Sequence, residues 1–126
     1  MNSASLRLRP PRVTDTRVAA VLELLTKSAD RSHVDFARLA TSVNLSPSRL
    51  RHLFTQQMGI SPMRYTKALR LQQAHQLLLG SFLTVKEVMG RCGFTDLSHF
   101  VRDYKQMVGE TPAQTRLLRV ATSANK

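Results

Sequence analysis

The sequence holds one cysteine, no tryptophan, few acidic residues and no long apolar run. Its single cysteine, Cys92, excludes an internal disulfide bond and a zinc site built from several thiolates. The longest apolar-rich runs, VAAVLELL and LLLGSFLTV, are too short to cross a bilayer. The first residues contain arginine and proline but lack the apolar core of a secretory signal. We therefore expect a cytoplasmic protein with a buried, reduced thiol and no membrane partner.

Acidic residues are outnumbered by basic ones. The 8 Asp and Glu face 19 Lys and Arg, which gives a formal net charge of +11 at pH 7. A basic excess of this size favours a polyanionic partner, with nucleic acid first and an anionic membrane surface second. Apolar residues make up 42% of the chain, which is enough for a compact core and argues against disorder of the whole chain.

The chain also lacks an assembled set of catalytic or metal-binding residues. Asp96, Ser98 and His99 are close in sequence, but a helix does not aim them at one another as a nucleophilic triad. No glycine-rich phosphate loop occurs. We predict that the protein is not an enzyme and uses no cofactor or metal. The histidines, none of which forms an i,i+4 pair, are His33, His52, His75 and His99.

Apolar residues recur at helical spacing, and no useful stretch alternates with period two. Cap residues punctuate the pattern: Ser46, Ser61, Thr84 and Asp96 each precede a helical run, and Gly59 ends one. The fold class is therefore all-α. We predict about seven helices, at approximately 16–27, 34–42, 47–58, 62–79, 85–91, 97–108 and 112–119.

The chain carries one small module twice, at an offset of fifty residues. The two copies run in step without a gap from Ser46 and Asp96 to Pro62 and Pro112. Each copy reads as a short helix, a tight turn and a second helix, and a motif of this kind places its second helix in the DNA major groove. The predicted organisation is a basic arm (1–14), a first helix-turn-helix subdomain (15–60), a linker helix (61–80), a second subdomain (81–119) and a frayed tail (120–126).

The second helix of each module, called here a reading helix, has two distinct faces. Leu50 and Phe100 centre the predicted core faces, which also hold Leu53, Phe54, Gln57, Leu97, Tyr104 and Met107. The opposite faces carry no acid at their centre, because Asp103 lies near the core-side flank. Groove entry requires this absence, since phosphates repel carboxylates. The residues of the outward faces and their flanks are Ser48, Arg49, Arg51, His52, Thr55 and Gln56, then Ser98, His99, Val101, Arg102, Lys105 and Gln106.

The linker helix predicts how far apart the reading helices lie. Eighteen residues span about 27 Å at about 1.5 Å per residue. Major-groove faces on one side of DNA repeat at about 34–36 Å. One chain can therefore hold both reading helices near that spacing without dimerising, on a bipartite site that need not be palindromic.

The stretches LATSVNLSPSRLRHLFTQQMGISP, ALRLQQAHQLLL and RCGFTDLSHFVRDYKQMVGETP occur in this order. Their GF, D-x-S-H-F-x-R and G-x-[ST]-P elements resemble the DNA-binding domain of the AraC/XylS family of bacterial transcription regulators, and the resemblance runs from about residue 15 to residue 119. It implies two helix-turn-helix motifs bound to promoter DNA and, for many members, activation through RNA polymerase. The sequence departs from the family pattern at His52, Met89 and Thr115.

The resemblance also implies which residues contact bases, and they agree with the outward faces. Arg51 and Arg102 are the candidates for guanine O6 and N7, and Val101 is the candidate for a thymine methyl group. The full predicted set of base-contacting residues is Ser48, Arg49, Arg51, His52, Ser98, His99, Val101 and Arg102.

Phosphate contacts are predicted beside the base contacts. Thr55, Gln56 and Lys105 lie where side chains reach the DNA backbone. The backbone N–H groups at the starts of the helices that open at Pro62 and Pro112 are further candidates.

Other interpretations stay open. A basic helical module for a protein or membrane partner shares the charge, but a membrane module requires one wide apolar stripe with Lys-rich margins. A non-specific DNA binder shares it too, without needing two different reading helices. The basic arm is a solvated end, a source of phosphate contacts, or a linker to an N-terminal effector or dimerisation domain missing from this chain. We expect a monomer in this form.

Overall fold

The structure is a computed structural model that describes residues 14–27 and 35–124, and the side chains of these residues up to residue 118. Within these ranges the chain forms α-helices and no strand, which confirms the all-α prediction. The predicted basic arm before Thr14, the loop between the first two helices and the last two residues lie outside the described residues. The helices are α1 (Thr16–Lys27), α2 (Phe36–Ser42), α3 (Pro47–Met58), α4 (Pro62–Gly80), α5 (Val85–Arg91), α6 (Leu97–Val108) and α7 (Pro112–Ala124).

Side-chain caps fix where the reading helices α3 and α6 begin. Ser46 Oγ accepts a hydrogen bond from the backbone N–H of Arg49 at 3.1 Å, and Asp96 Oδ1 accepts one from His99 at 2.9 Å. Each bond satisfies a backbone donor that has no partner inside its helix. Both helices end at a glycine with positive φ, which is Gly59 after α3 and Gly109 after α6. The predicted boundaries of both reading helices are confirmed.

The turn before each reading helix has the same hydrogen-bond pattern. The N–H of Leu45 donates to the carbonyl of Ala40, and the N–H of Phe94 donates to the carbonyl of Met89. A left-handed residue, Asn44 (φ 61°) or its glycine counterpart in the second turn, precedes each donor. This is the Schellman ending of a helix, with an apolar residue after the left-handed position. The two modules thus agree in backbone geometry as well as in sequence.

The first half of the molecule packs α1, α2 and α3 against the beginning of α4. Its buried core is formed by aliphatic and aromatic side chains from all four helices. Phe54 and Tyr65 meet edge to face, with ring centroids 5.8 Å apart. Gln57 Oε1 accepts hydrogen bonds from the backbone N–H groups of Thr14 and Asp15, which holds the start of α1 against α3. The buried members are Val18, Val21, Leu25, Ala40, Leu50, Phe54, Met58, Tyr65 and Leu69.

The second half packs α5, α6 and α7 against the end of α4, and its core includes a chain of hydrogen bonds. His75 Nδ1 lies 3.0 Å from Tyr104 Oη, which lies 2.7 Å from Thr115 Oγ1. Thr115 in turn donates to Glu110 Oε2 at 2.5 Å. A threonine hydroxyl has one hydrogen, so Thr115 accepts from Tyr104, and Tyr104 accepts from His75. Met89, which departs from the family pattern, packs against this core beside the buried Cys92.

Helix α4 belongs to both cores. Its early residues Tyr65 and Leu69 are buried in the first core, whereas Leu71, Ala74 and Leu78 are buried in the second. Its 19 residues span about 28 Å. A single helix, at the place predicted for the linker helix, is therefore shared by both halves.

Two details of the prediction are wrong. Leu97, expected in the core, is 41% exposed. Leu97 occupies the first helical position, where α6 extends past the core. The equivalent first residue of α3, Pro47, is also exposed. The last helix continues to Ala124 instead of ending near Arg119, so most of the segment expected to fray is helical. No glycine or proline stops the helix over 113–124.

Candidate nucleic-acid interface

The outward face of α3 is exposed and polar at each position that the sequence selects. The exposed side chains lie on one side of the helix, opposite the fully buried Leu50 and Phe54. A helix with this division can enter a groove without disturbing its own core. The exposed predicted contact residues of α3 are Ser48, Arg49, Arg51, His52, Thr55 and Gln56.

Two of these residues have contacts that limit their freedom. The guanidinium carbon of Arg51 lies 5.6 Å from the centroid of the Phe36 ring in α2, a cation–π geometry. The contact holds Arg51 at the first helix-turn-helix surface before any ligand is bound. The hydroxyl of Thr55 donates to the carbonyl of Arg51 at 2.8 Å. Its lone pairs remain available as acceptors, but its hydrogen is engaged within the helix.

The outward face of α6 is likewise exposed, opposite the fully buried Phe100 and Tyr104. The side chains of His99 and Arg102 are 63% and 65% exposed. Val101, the candidate for a methyl contact, is half-buried. The exposed predicted contact residues of α6 are Ser98, His99, Arg102 and Lys105.

Charge is organised at the start of α6. Hydrogen bonding to the backbone N–H of His99 holds the pKa of the Asp96 carboxyl below its usual value. The Asp96 carboxylate lies 3.7 Å from His99 Nδ1, so it sits beside a predicted base-contacting ring. Asp96 thus caps the helix and lies beside His99 at the same time.

An ion-pair network connects α4 to α6, and no sequence pattern predicted it. Lys67 Nζ lies 3.2 Å from Asp103 Oδ2, and Arg102 Nε lies 3.5 Å from Asp103 Oδ1. The Asp103 side chain is only 13% exposed, whereas Lys67 is 53% exposed. The position of Asp103 on the core-side flank of α6 indicated an inward acid, but nothing in the sequence indicated which cation would meet it.

Of the predicted phosphate-binding positions, the two prolines are buried. Pro62 and Pro112 open α4 and α7 with their rings packed inside the protein. Each cap uses the N–H group two residues after the proline: Ser61 Oγ accepts from Arg64, and Thr111 Oγ1 accepts from Gln114. A phosphate at these helix starts would therefore meet exposed neighbours of the prolines and not the proline side chains.

An open cleft of about 470 Å³ separates the two halves beside α6. The ends of α1 and α2 line one wall, and Lys67 and Arg70 of α4 line the floor. His99, Arg102 and Asp103 form the opposite wall. The ion pair between Lys67 and Asp103 thus lies in the lining of the cleft, next to residues of the second reading surface.

The described residues contain no group of three or more metal-binding side chains that could hold an ion. No helix in the described part of the chain is long and apolar enough to cross a membrane.

Comparison with known proteins identifies the family. A family of helix-turn-helix domains matches residues 39–117. The chain is 38% identical over 109 residues to the arabinose operon regulatory protein of Salmonella typhimurium, covering 86% of this chain and 38% of that protein. The chain belongs to the AraC/XylS family. It spans about two fifths of the length of the arabinose regulators it matches.

Solved structures of AraC-type domains have the same fold. A probable AraC-family transcriptional regulator from Rhodopseudomonas palustris is 33% identical, with a TM-score of 0.78 over 83% of this chain and 98% of that one. The DNA-binding domain of the global transcriptional factor AdpA, in complex with a target DNA, is 25% identical, with a TM-score of 0.75. The latter match covers 87% of this chain and 98% of that one. The relatives are transcription regulators, which agrees with the prediction that this AraC-family chain is not an enzyme.

Proposed function

We propose that this chain is a sequence-specific double-stranded DNA-binding transcription regulator that inserts α3 and α6 into successive major grooves of a bipartite promoter site. The observation that carries the proposal is the pair of matched reading helices, each capped, each exposed on a polar and cationic face, and both fixed on α4. The kinship with regulators such as the arabinose operon protein supports it. The AdpA domain, whose structure contains target DNA, supports the choice of ligand.

Within this proposal, bases are read near the start of each reading helix. Arg51 and Arg102 carry guanidinium groups suited to guanine O6 and N7, and Val101 offers an apolar surface to a thymine methyl group. Thr55, Gln56 and Lys105 lie farther along the helices and bind phosphates. The remaining base-contacting residues are Ser48, Arg49, His52, Ser98 and His99.

The length of α4 supports a single chain reading both blocks. Its span of about 28 Å is compatible with grooves that repeat every 34–36 Å or so on one side of DNA. The chain then acts as a monomer in this form. An N-terminal effector or dimerisation domain would be joined through the basic arm, since the arabinose regulators are longer than this chain.

The proposed output is activation through contact with RNA polymerase, in the cytoplasm where promoter DNA lies. Relatives named as activators, among them the virulence regulon activator VirF of Yersinia enterocolitica, 31% identical over 87 residues, favour this sign of regulation.

The decisive experiment is selection of bound duplexes from a random DNA pool at physiological salt, followed by sequencing. We expect two enriched blocks about one helical turn apart, about 10 base pairs between their centres. Enrichment of one block alone would contradict the bipartite site. Absence of enrichment, with binding that still falls steeply with salt, would leave a non-specific DNA binder. No binding to any duplex would favour a protein or membrane partner.

A further inference from the structure

We infer that Asp103 is a positioning residue, which clamps the second reading helix to the first half of the molecule and so sets the spacing between the two DNA blocks. The inference rests on the proposed function for its consequence on DNA. Its structural basis is the ion-pair network Lys67–Asp103–Arg102, in which one largely buried carboxylate meets cations from two helices.

The location of Lys67 gives the ion pair its meaning. Lys67 lies between Tyr65 and Leu69, the two residues of α4 that are buried in the first core. Asp103 lies on α6 between Phe100 and Tyr104, which are both buried in the second core. The ion pair therefore joins α6 to the part of α4 that packs in the first core, beside the cleft. Of the ion pairs that the described residues form with one another, it alone joins residues more than four positions apart.

The burial of Asp103 limits how far solvent and salt screen this ion pair. At 13% exposure the carboxylate is shielded from the solvent that screens exposed charges. Asp103 also lies beside Arg102, a predicted base-contacting residue. Its Oδ1 lies 3.5 Å from Arg102 Nε, so the same carboxylate meets both Lys67 of α4 and a predicted reading side chain of α6.

A clamp between the halves has a consequence for DNA that a local contact lacks. Adding one base pair between the two blocks moves the second block by about 3.4 Å along the axis and turns it by about 35°. A molecule whose halves are fixed pays for this mismatch, whereas a molecule with freer halves adapts to it. The spacing ratio, defined as affinity for the selected spacing divided by affinity for the spacing one base pair longer, measures the clamp.

The primary test compares spacing ratios of the wild type and Asp103→Asn on duplexes from the selection. Asparagine keeps the shape and removes the charge. We expect the ratio to fall about fivefold, corresponding to about 1 kcal/mol for a well-placed ion pair. Glu23→Gln is the matched control, because it makes the same charge change on α1. A uniform electrostatic gain in affinity cancels in the ratio. An unchanged ratio for Asp103→Asn would overturn the clamp.

Charge reversal distinguishes a clamp from local damage. Lys67→Glu and Asp103→Lys should each lower the ratio, and the double variant should restore most of it. A double variant as poor as the single ones would overturn the inference, because no interaction between the two positions would have been recovered. Circular dichroism confirms that each variant is helical before its ratio is measured.

A second measurement needs no DNA. Spin labels on Gln56→Cys and Gln106→Cys, equivalent exposed positions on the two reading helices, report the distance between the halves by double electron–electron resonance. With Cys92 replaced by alanine, we expect Asp103→Asn to broaden the distance distribution and Glu23→Gln to leave it unchanged. Equal widths would contradict the clamp. If the wild type lacks a spacing preference but Asp103→Asn broadens the distribution, the bipartite function fails and the clamp stands.

Discussion

The two halves of the molecule share one backbone plan but fill the same core positions with different chemistry. Phe54 and Tyr65 in the first half stack edge to face at 5.8 Å. The positions fifty residues later hold Tyr104 and Thr115, whose hydroxyl oxygens lie 2.7 Å apart. A contact between two aromatic rings is thus replaced by a hydrogen bond, while α3 and α6 keep equivalent boundaries and α4 and α7 begin at equivalent prolines.

A third pair of positions follows the same rule. Ile60 packs on the first core, whereas Glu110 accepts a hydrogen bond from the Thr115 hydroxyl in the second. Burial of the phenol raises the pKa of Tyr104 to about 12, so this group is a neutral donor at physiological pH. The comparison teaches that this module accepts polar groups in its core when each one has a partner, because an unpaired buried group is what costs stability.

The largest expected effect removes an apolar anchor that both halves have in common. Leu50→Ala should destabilise the first half by about 2–5 kcal/mol, because Leu50 is fully buried and leaves a cavity. Chemical denaturation measures the loss. Met63→Ala is the control, since Met63 is 81% exposed and its removal should change stability little. A loss near zero for Leu50→Ala would contradict the assignment of its face to the core.

A smaller effect is expected when the hydrogen-bond chain in the core of the second half is interrupted. Thr115→Val keeps the shape but removes the partner of both Tyr104 and Glu110, so we expect a loss of about 1–3 kcal/mol in unfolding free energy. Thr66→Val is the matched control on α4, because the Thr66 hydroxyl bonds only to its own helix backbone at the carbonyl of Pro62. If both variants lost the same amount, the second core would not depend on its hydrogen-bond chain.

Substitutions at the equivalent positions 52 and 102 should each change base specificity in only one of the two DNA blocks. Arg102→Ala should cost about 1–3 kcal/mol on the selected duplex and relax specificity in the second block, because a bidentate guanine contact is lost. Fluorescence anisotropy on single-base variants of each block measures this. His52→Ala should relax the first block and leave the second unchanged. An equal loss on all sequences would assign Arg102 to a phosphate.

Phosphate contact should also differ between equivalent positions. Lys105→Thr, which introduces the residue found at position 55, should weaken binding to all duplexes alike and make the slope of log affinity against log salt shallower by about one unit. Titrations over a series of salt concentrations measure the slope. Lys27→Thr removes the same charge at an exposed position of α1, which belongs to neither helix-turn-helix motif, and serves as control. An unchanged slope would exclude Lys105 from the interface.

The smallest effect concerns pH and should appear in the second half alone. Burial lowers the pKa of His75 below its usual 6.5, with Glu110 acting in the opposite direction. The unfolded chain then binds this proton more readily than the folded one, so stability is full above pH 6.5 and falls as the pH drops toward the lowered value. Denaturation on both sides of this window should show the decline, and His75→Gln should flatten it.

Local features of the fold could be predicted from the sequence because their causes lie within a few residues. Ser46 and Asp96 are caps, Gly59 and Gly109 end helices, and these residues fixed the bounds of both reading helices. The same periodicity assigned outward and buried faces correctly except at Leu97, where the helix end projects beyond the core. Whether the exposed residues bind bases or phosphates remains a prediction.

The sequence by itself determined seven helices and two polar reading faces, since each depends on neighbours three or four positions away. It also determined the duplicated module, because the two copies align at an offset of fifty residues. Only the tertiary structure decided which side chains meet across helices. The contact between Lys67 and Asp103 and the bond between His75 and Tyr104 join residues far apart in the chain. These pairings exist because two cores pack on one helix, and that packing sets the orientation of α6 relative to α4 as no local pattern can.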